Sequence, residues 1–127
     1  MKVTWLLHAA LLVADLESSK RFYGGTLGLN EKPRPNFDFP GAWYDLGECE
    51  LHLMVTRDAL PSADARPRRD SHVAFRVDDL EAAERALEEA GLEFRRSSSG
   101  QPSIFVRDPD GNLIELQRRE SNKDGQD

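Results

Sequence analysis

Four side chains able to bind a divalent metal fall at two repeated positions of the chain. His8 and His72 lie 64 residues apart, and Leu51-His52-Leu53 finds a counterpart 63 residues on in Ile114-Glu115-Leu116. The set takes in all three histidines of the protein and one glutamate. Imidazole and carboxylate together suit a divalent transition ion, and two histidines with one carboxylate leave coordination positions for a substrate. Taken singly, a strand histidine is more often an ordinary core or surface residue, and a strand carboxylate is usually solvated. Spacing alone leaves both readings open, while the internal symmetry joins the four residues into one hypothesis.

The repeat extends to the elements that must carry these residues. Val13-Ala14-Asp15-Leu16-Glu17 is matched by Val77-Asp78-Asp79-Leu80-Glu81. Two copies in 127 residues point to one duplicated domain rather than a solenoid. In the first copy the apolar run Val3–Val13 reads as a strand, and Asp15 caps a helix over about Leu16–Leu27 that Gly28 stops. An extended segment near Glu31-Lys32 and a loop with Pro33, Pro35 and Pro40 follow, then strands around Ala42–Leu46 and Glu50–Val55 joined by a turn at Gly47-Glu48. In the second copy Ser71–Val77 is a strand and Asp79 caps a helix over about Leu80–Ala90 ending at Gly91. Strands at Leu92–Arg95, Ser103–Arg107 and Asn112–Arg118 complete it, the last two joined by the turn Asp108-Pro109-Asp110-Gly111. The expected fold class is α+β, two βαβββ modules in tandem, with helices on one face of each sheet. The expected division is a single domain over 1–120, with modules at about 3–56 and 71–120, a linker at 57–70 and a tail at 121–127.

Strand alternation then selects a face. His8 shares its side with Ala10 and Leu12, His52 with Glu50 and Met54, His72 with Ala74 and Arg76, and Glu115 with Leu113 and Gln117. Opposite His52, His72 and Glu115 runs a continuous apolar face suited to packing on helices, so the other face is left to line a pocket. Arg76 is placed there to bind a substrate carboxylate or phosphonate, or to form a rim salt bridge. Trp43, Phe37 and Phe39, in or beside the Pro-rich loop, are candidates for an apolar substrate wall, with core packing or a dimer contact as the alternative. Glu50 is placed to support His52 or to stand exposed on its strand.

Composition narrows the partners. A net charge of −6 disfavours nucleic acid, which needs a positive surface. The basic cluster Arg66, Arg68 and Arg69 lies among acidic residues and reads as solvated linker, as do Arg118 and Arg119 near the C-terminus. One cysteine, Cys49, forms no intramolecular disulfide and fits a reducing cytoplasm. No signal peptide or membrane span is read, so the expected partner is a small molecule.

From about Leu6 to Leu116 the chain resembles the vicinal oxygen chelate superfamily, which includes glyoxalase I, fosfomycin- and bleomycin-resistance proteins and extradiol dioxygenases. The resemblance rests on His8 with Val13-Ala14-Asp15-Leu16-Glu17, Arg21-Phe22-Tyr23 with Leu27-Gly28-Leu29, and Leu51-His52-Leu53. It continues in Ser71-His72-Val73-Ala74-Phe75 and Asp108-Pro109-Asp110-Gly111-Asn112-Leu113-Ile114-Glu115-Leu116. It implies paired modules forming a cup around a divalent metal (Zn, Ni, Co, Mn or Fe), with His8, His72 and Glu115 as ligands. It gives His52 a fourth ligand position that bacterial glyoxalase I fills with glutamate. The activity implied is glyoxalase-like isomerisation or lyase chemistry on a small oxygenated metabolite, with Glu115 as the catalytic base. An Fe(II) extradiol-type dioxygenase, transfer of a thiol or water to fosfomycin, and a metal-free ligand-sequestering protein are the alternatives. The resemblance also implies a homodimer whose sites are shared, His8 and His52 coming from one subunit and His72 and Glu115 from the other.

Overall fold

The structure, a computed structural model, describes residues 1–58 and 71–119. The basic cluster Arg66, Arg68 and Arg69, most of the expected linker and the tail lie outside the described residues. The chain divides into two compact units, Met1–Ser62 and Ala63–Asp127.

The first unit runs β1 (His8–Val13), α1 (Leu16–Lys20) continuing as a π-helical segment Arg21–Thr26, β2 (Asn30–Lys32), β3 (Gly41–Asp45) and β4 (Glu50–Val55). Its four-stranded sheet has the order β1-β4-β3-β2, with β1 parallel to β4 and the other pairs antiparallel. The second unit repeats this with β5 (His72–Val77), α2 (Leu80–Glu89), β6 (Phe94–Arg96), β7 (Ser103–Arg107) and β8 (Leu113–Arg118), in the order β5-β8-β7-β6. Two βαβββ modules of α+β class are therefore present.

Each sheet buries the face that alternation selects. Val13, Ala42, Tyr44, Leu51 and Leu53 pack with Phe22 and Tyr23 in the first core; Ile104, Val106, Ile114 and Leu116 pack with Leu87 in the second. The helices begin where the sequence indicates: Asp15 accepts from the Glu17 amide and Asp79 from the Ala82 amide, both at 3.1 Å. Both helical stretches end at a glycine of positive φ, Gly28 at 75° and Gly91 at 74°.

Two expectations need correction. The first strand starts at His8, not Val3, because its partner β4 begins at Glu50, which faces His8 in register. Val3, Leu6 and Leu7 are exposed, and the Trp5 indole nitrogen donates to the Glu48 carbonyl at 2.9 Å. An apolar run alone does not supply a neighbouring strand. The first helix is α-helical only to Lys20; beyond it the Leu27 amide reaches back five residues to the Phe22 carbonyl. Gly24 and Gly25 lower the cost of leaving α geometry, and the widened turn buries the consecutive Phe22 and Tyr23 together.

No helix among the described residues is long and apolar enough to cross a membrane.

Candidate metal-binding half-sites and a substrate cavity

Sheet register brings the candidate residues together within each unit. In the first, Ala10 and Trp43 flank His52 on the two neighbouring strands. His52 is sandwiched: its ring lies 4.1 Å from His8, inclined by 17°, and 4.0 Å from Trp43, inclined by 2°. In the second, Ala74 and Phe105 flank Glu115 in the same way. His72 Nε2 lies 3.1 Å from Glu115 Oε1, with the Phe105 ring 5.9 Å from the imidazole, edge-on. Among the described residues, neither pair is joined within its own unit by further His, Cys, Asp or Glu side chains into a group able to hold an ion.

The spacing of the second pair is compatible with a shared ion. Two donors each about 2.1 Å from a common ion and at cis or tetrahedral angles are themselves roughly 3.0–3.4 Å apart. The 3.1 Å between His72 Nε2 and Glu115 Oε1 falls on that edge length, so this donor pair fits a divalent ion as well as it fits a hydrogen bond.

His52 is held differently. Its Nε2 donates to Glu50 Oε1 at 2.8 Å, and the other oxygen of Glu50 accepts from the Lys32 ammonium. Glu50 thus takes the supporting role rather than standing free on its strand. The bond from His52, and after it the bond from Lys32, holds the Glu50 carboxyl below the usual carboxylate range. The same pairing with Glu50 raises Lys32 above its ordinary value. With Nε2–H committed to Glu50, Nδ1 is the nitrogen of a neutral His52 that carries the lone pair, a carboxylate–imidazole arrangement common beside metal ligands.

Trp43, Phe37 and Phe39 line one cavity with His8, Glu50 and His52, of about 530 Å³. Arg76 shares the His72 face, in register with Gln117; it is exposed and pairs with no carboxylate among the described residues. Sequence reasoning missed Arg34, which lines the cavity of the first unit. Its signal was the Pro33-Arg34-Pro35 setting, where two fixed φ angles stiffen the backbone around one cation. Cys49 is free and partly buried.

The turn before β8 fixes where Glu115 emerges. Asp108 is 5% exposed and its carboxylate accepts from the amides of Asp110 and Asn112 and from Asn112 Nδ2, at 2.8–2.9 Å. Asp108 and Asn112 also pair through the backbone, the Asp108 amide donating to the Asn112 carbonyl at 2.9 Å.

Comparison with known proteins agrees with this architecture. The chain is 30% identical over 130 residues to a lactoylglutathione lyase of Haemophilus influenzae, covering 94% of this chain and 96% of the relative. It is 32% identical over 116 residues to the glutathione transferase FosA of Serratia marcescens, covering 87% and 78%. Among solved structures, a Bacillus anthracis protein assigned to the glyoxalase family superposes with a TM-score of 0.80 at 25% identity, covering 94% of this chain and 98% of that one. A family model matches residues 5–116, and with the duplicated βαβββ frame it shows that the chain belongs to the Glyoxalase/Bleomycin resistance protein/Dioxygenase superfamily.

Proposed function

We propose that the protein is a metal-dependent lyase or isomerase of glyoxalase type, acting in the cytoplasm on a small oxygenated metabolite. The supporting observation is the placement of ligand-type residues at equivalent points of the two modules: His8 against His52, and His72 Nε2 at 3.1 Å from Glu115 Oε1. These four residues would hold one divalent ion, Zn, Ni, Co, Mn or Fe by ligand type. When bound, it supplies Lewis-acid polarisation of two neighbouring substrate oxygens.

The chain's own residues do the rest. Glu115 is the base: its carboxylate would leave the ion to take a proton from carbon, beside His72, whose Nε2 stands 3.1 Å from Oε1. Glu50 and Lys32 fix the ring orientation of His52, and Trp43 and Phe39 hold the apolar part of the substrate away from water. Arg76 is assigned to an anionic substrate group that approaches the His72 face. In this reading residues 1–120 act as one domain within a homodimer, His8 and His52 of one protomer completing the site with His72 and Glu115 of the partner subunit.

Two observations favour other members of the superfamily. The likeness to a glutathione transferase supports transfer chemistry at the same ligands. The preformed cavity beside His52 supports metal-free ligand sequestration. An Fe(II) dioxygenase would use His8, His72 and Glu115 alone.

Elemental analysis of protein purified without chelator separates these readings. One ion per chain, lost in His72→Ala and released when dilution separates the chains, supports the proposal, and iron points to the dioxygenase. No metal, even after each candidate ion is added back, refutes it in favour of sequestration.

A further inference from the structure

The cavity of the first unit has a chemistry that metal ligation does not explain. Arg34 lies half-buried in its wall, its guanidinium carbon 4.7 Å from the centre of the Phe37 ring and 5.0 Å from that of Phe39. Those two rings stack at 5.3 Å, and Phe37 leads on to Trp43 at 6.1 Å, which in turn lies on His52. A continuous aromatic run therefore joins the cation to the imidazole.

The arginine is held in place but not neutralised. Among the described residues its one hydrogen bond runs from Nη2 to the Phe39 carbonyl at 2.7 Å, and no carboxylate pairs with it. Gly41 leaves the floor beneath it open, since a Cβ there would come within 3.1 Å of Nη2. Stacking on two rings recovers part of the cost of removing a guanidinium from water. Among the described residues its remaining N–H groups have no acceptor. The nearby anions do not fill that role: Glu50 is committed to Lys32 and His52, and Glu48 is exposed, where solvent screens it.

We infer that the cavity takes an organic anion with a flat, unsaturated body: its charged group pairs with Arg34, its body stacks on Phe37, Phe39 and Trp43, and its other end faces His8 and His52. This rests on the reading of His8 and His52 as part of the reaction site and narrows it to a substrate class. A flexible aliphatic anion would forfeit the stacking, and a neutral aromatic would leave the guanidinium unpaired.

The test compares naphthalene-2-carboxylate with the uncharged 2-naphthalenemethanol by calorimetry, on the whole protein with and without added metal. The acid should bind at least about tenfold more tightly, the size expected of a charge-assisted bond. Arg34→Gln should erase that preference, read as the ratio of acid to alcohol affinity within the same variant, and Arg34→Lys should restore only part of it. Hexanoate should bind more weakly than the aromatic acid. Equal affinity of wild type for acid and alcohol, or a preference that survives Arg34→Gln, overturns the inference. The two proposals fail separately. Acid preference in a protein that takes up no metal sinks the metalloenzyme reading alone, and a metallated protein indifferent to charge sinks this one alone.

Discussion

Replacing Asp108 by alanine tests how the position of Glu115 is maintained. The carboxylate gathers two backbone amides and the Asn112 side chain into one turn, and its residue is nearly buried. Alanine leaves all three donors without that acceptor. Each buried donor left unsatisfied costs about 1–3 kcal/mol, and water can reach part of a turn, so the total expected is about 2–4 kcal/mol. That is a large share of the roughly 5–15 kcal/mol that stabilises a typical domain. With an m-value of about 1.5 kcal/mol per molar urea, the unfolding midpoint should fall by roughly 1.3–2.7 M. Asp108→Asn keeps one acceptor oxygen but sets its own NH2 near that of Asn112, donor against donor, so it should lie between the two. Amide exchange at Asp110 and Asn112 should quicken in the same order. A midpoint shift below about 0.3 M at unchanged m would refute the reasoning. It would mean that the Asp108–Asn112 backbone pair and the conformations of Pro109 and Gly111 suffice to set the strand.

Gly41→Ala tests the close packing of β3 on β4: the new Cβ would stand 2.3 Å from the Leu53 carbonyl oxygen, a ladder acceptor that cannot retreat. A cost of about 2 kcal/mol or more is expected, seen as a fall in Tm of roughly 6–10 °C. Glu50→Gln tests the support of His52 through pH. Because the folded carboxyl is held below its unfolded value, its stabilisation is complete above the unfolded pKa and is lost as pH falls through the folded one. Urea unfolding from pH 7 to 3 should show wild type more stable than the variant at neutral pH, with the gap closing below about pH 4; a constant gap contradicts the assignment.

The parts of this molecule legible in the sequence are those set by local periodicity and by types of capping residue. Alternation placed Leu51, Leu53, Ile114 and Leu116 in the cores and His52 and Glu115 on the opposite faces, and Asp15 and Asp79 announced their helices. Cross-strand relations were not legible, because register depends on turns whose exact length no periodicity reports. The stacking of Trp43 on His52 follows from the turn between β3 and β4, where Asp45 accepts from the Gly47 amide at 2.9 Å. Arg34 escaped for a related reason: it lies on an irregular loop, where no face can be assigned from spacing. The strand boundary at His8 was invisible because it is dictated by the residue that starts β4, some forty positions later.

The duplication preserved a frame and let its contents diverge, and that divergence makes a last prediction. Register equates His52 with Glu115, Trp43 with Phe105, and Glu50 with Leu113. The imidazole therefore stands beside a carboxylate two residues away, and the carboxylate of the second module beside an apolar side chain. This pairing is physically consistent: His52 can donate to Glu50, whereas a glutamate at position 52 would face a like charge on the same strand face. Placing a glutamate at this position by His52→Glu alone should thus raise one of the two carboxyl pKa values and leave, below that pH, a protonated and weakly ligating group. The double variant His52→Glu with Glu50→Leu copies the second module's own solution and removes the repulsion. On the proposed metal site, metal affinity should be higher in the double variant than in His52→Glu, by up to about tenfold for each pKa unit relieved when measured at a pH below the raised value. If the single substitution performs as well as the double, then Glu50 does not govern what position 52 can hold, and the identity of His52 must be explained by something other than its neighbour.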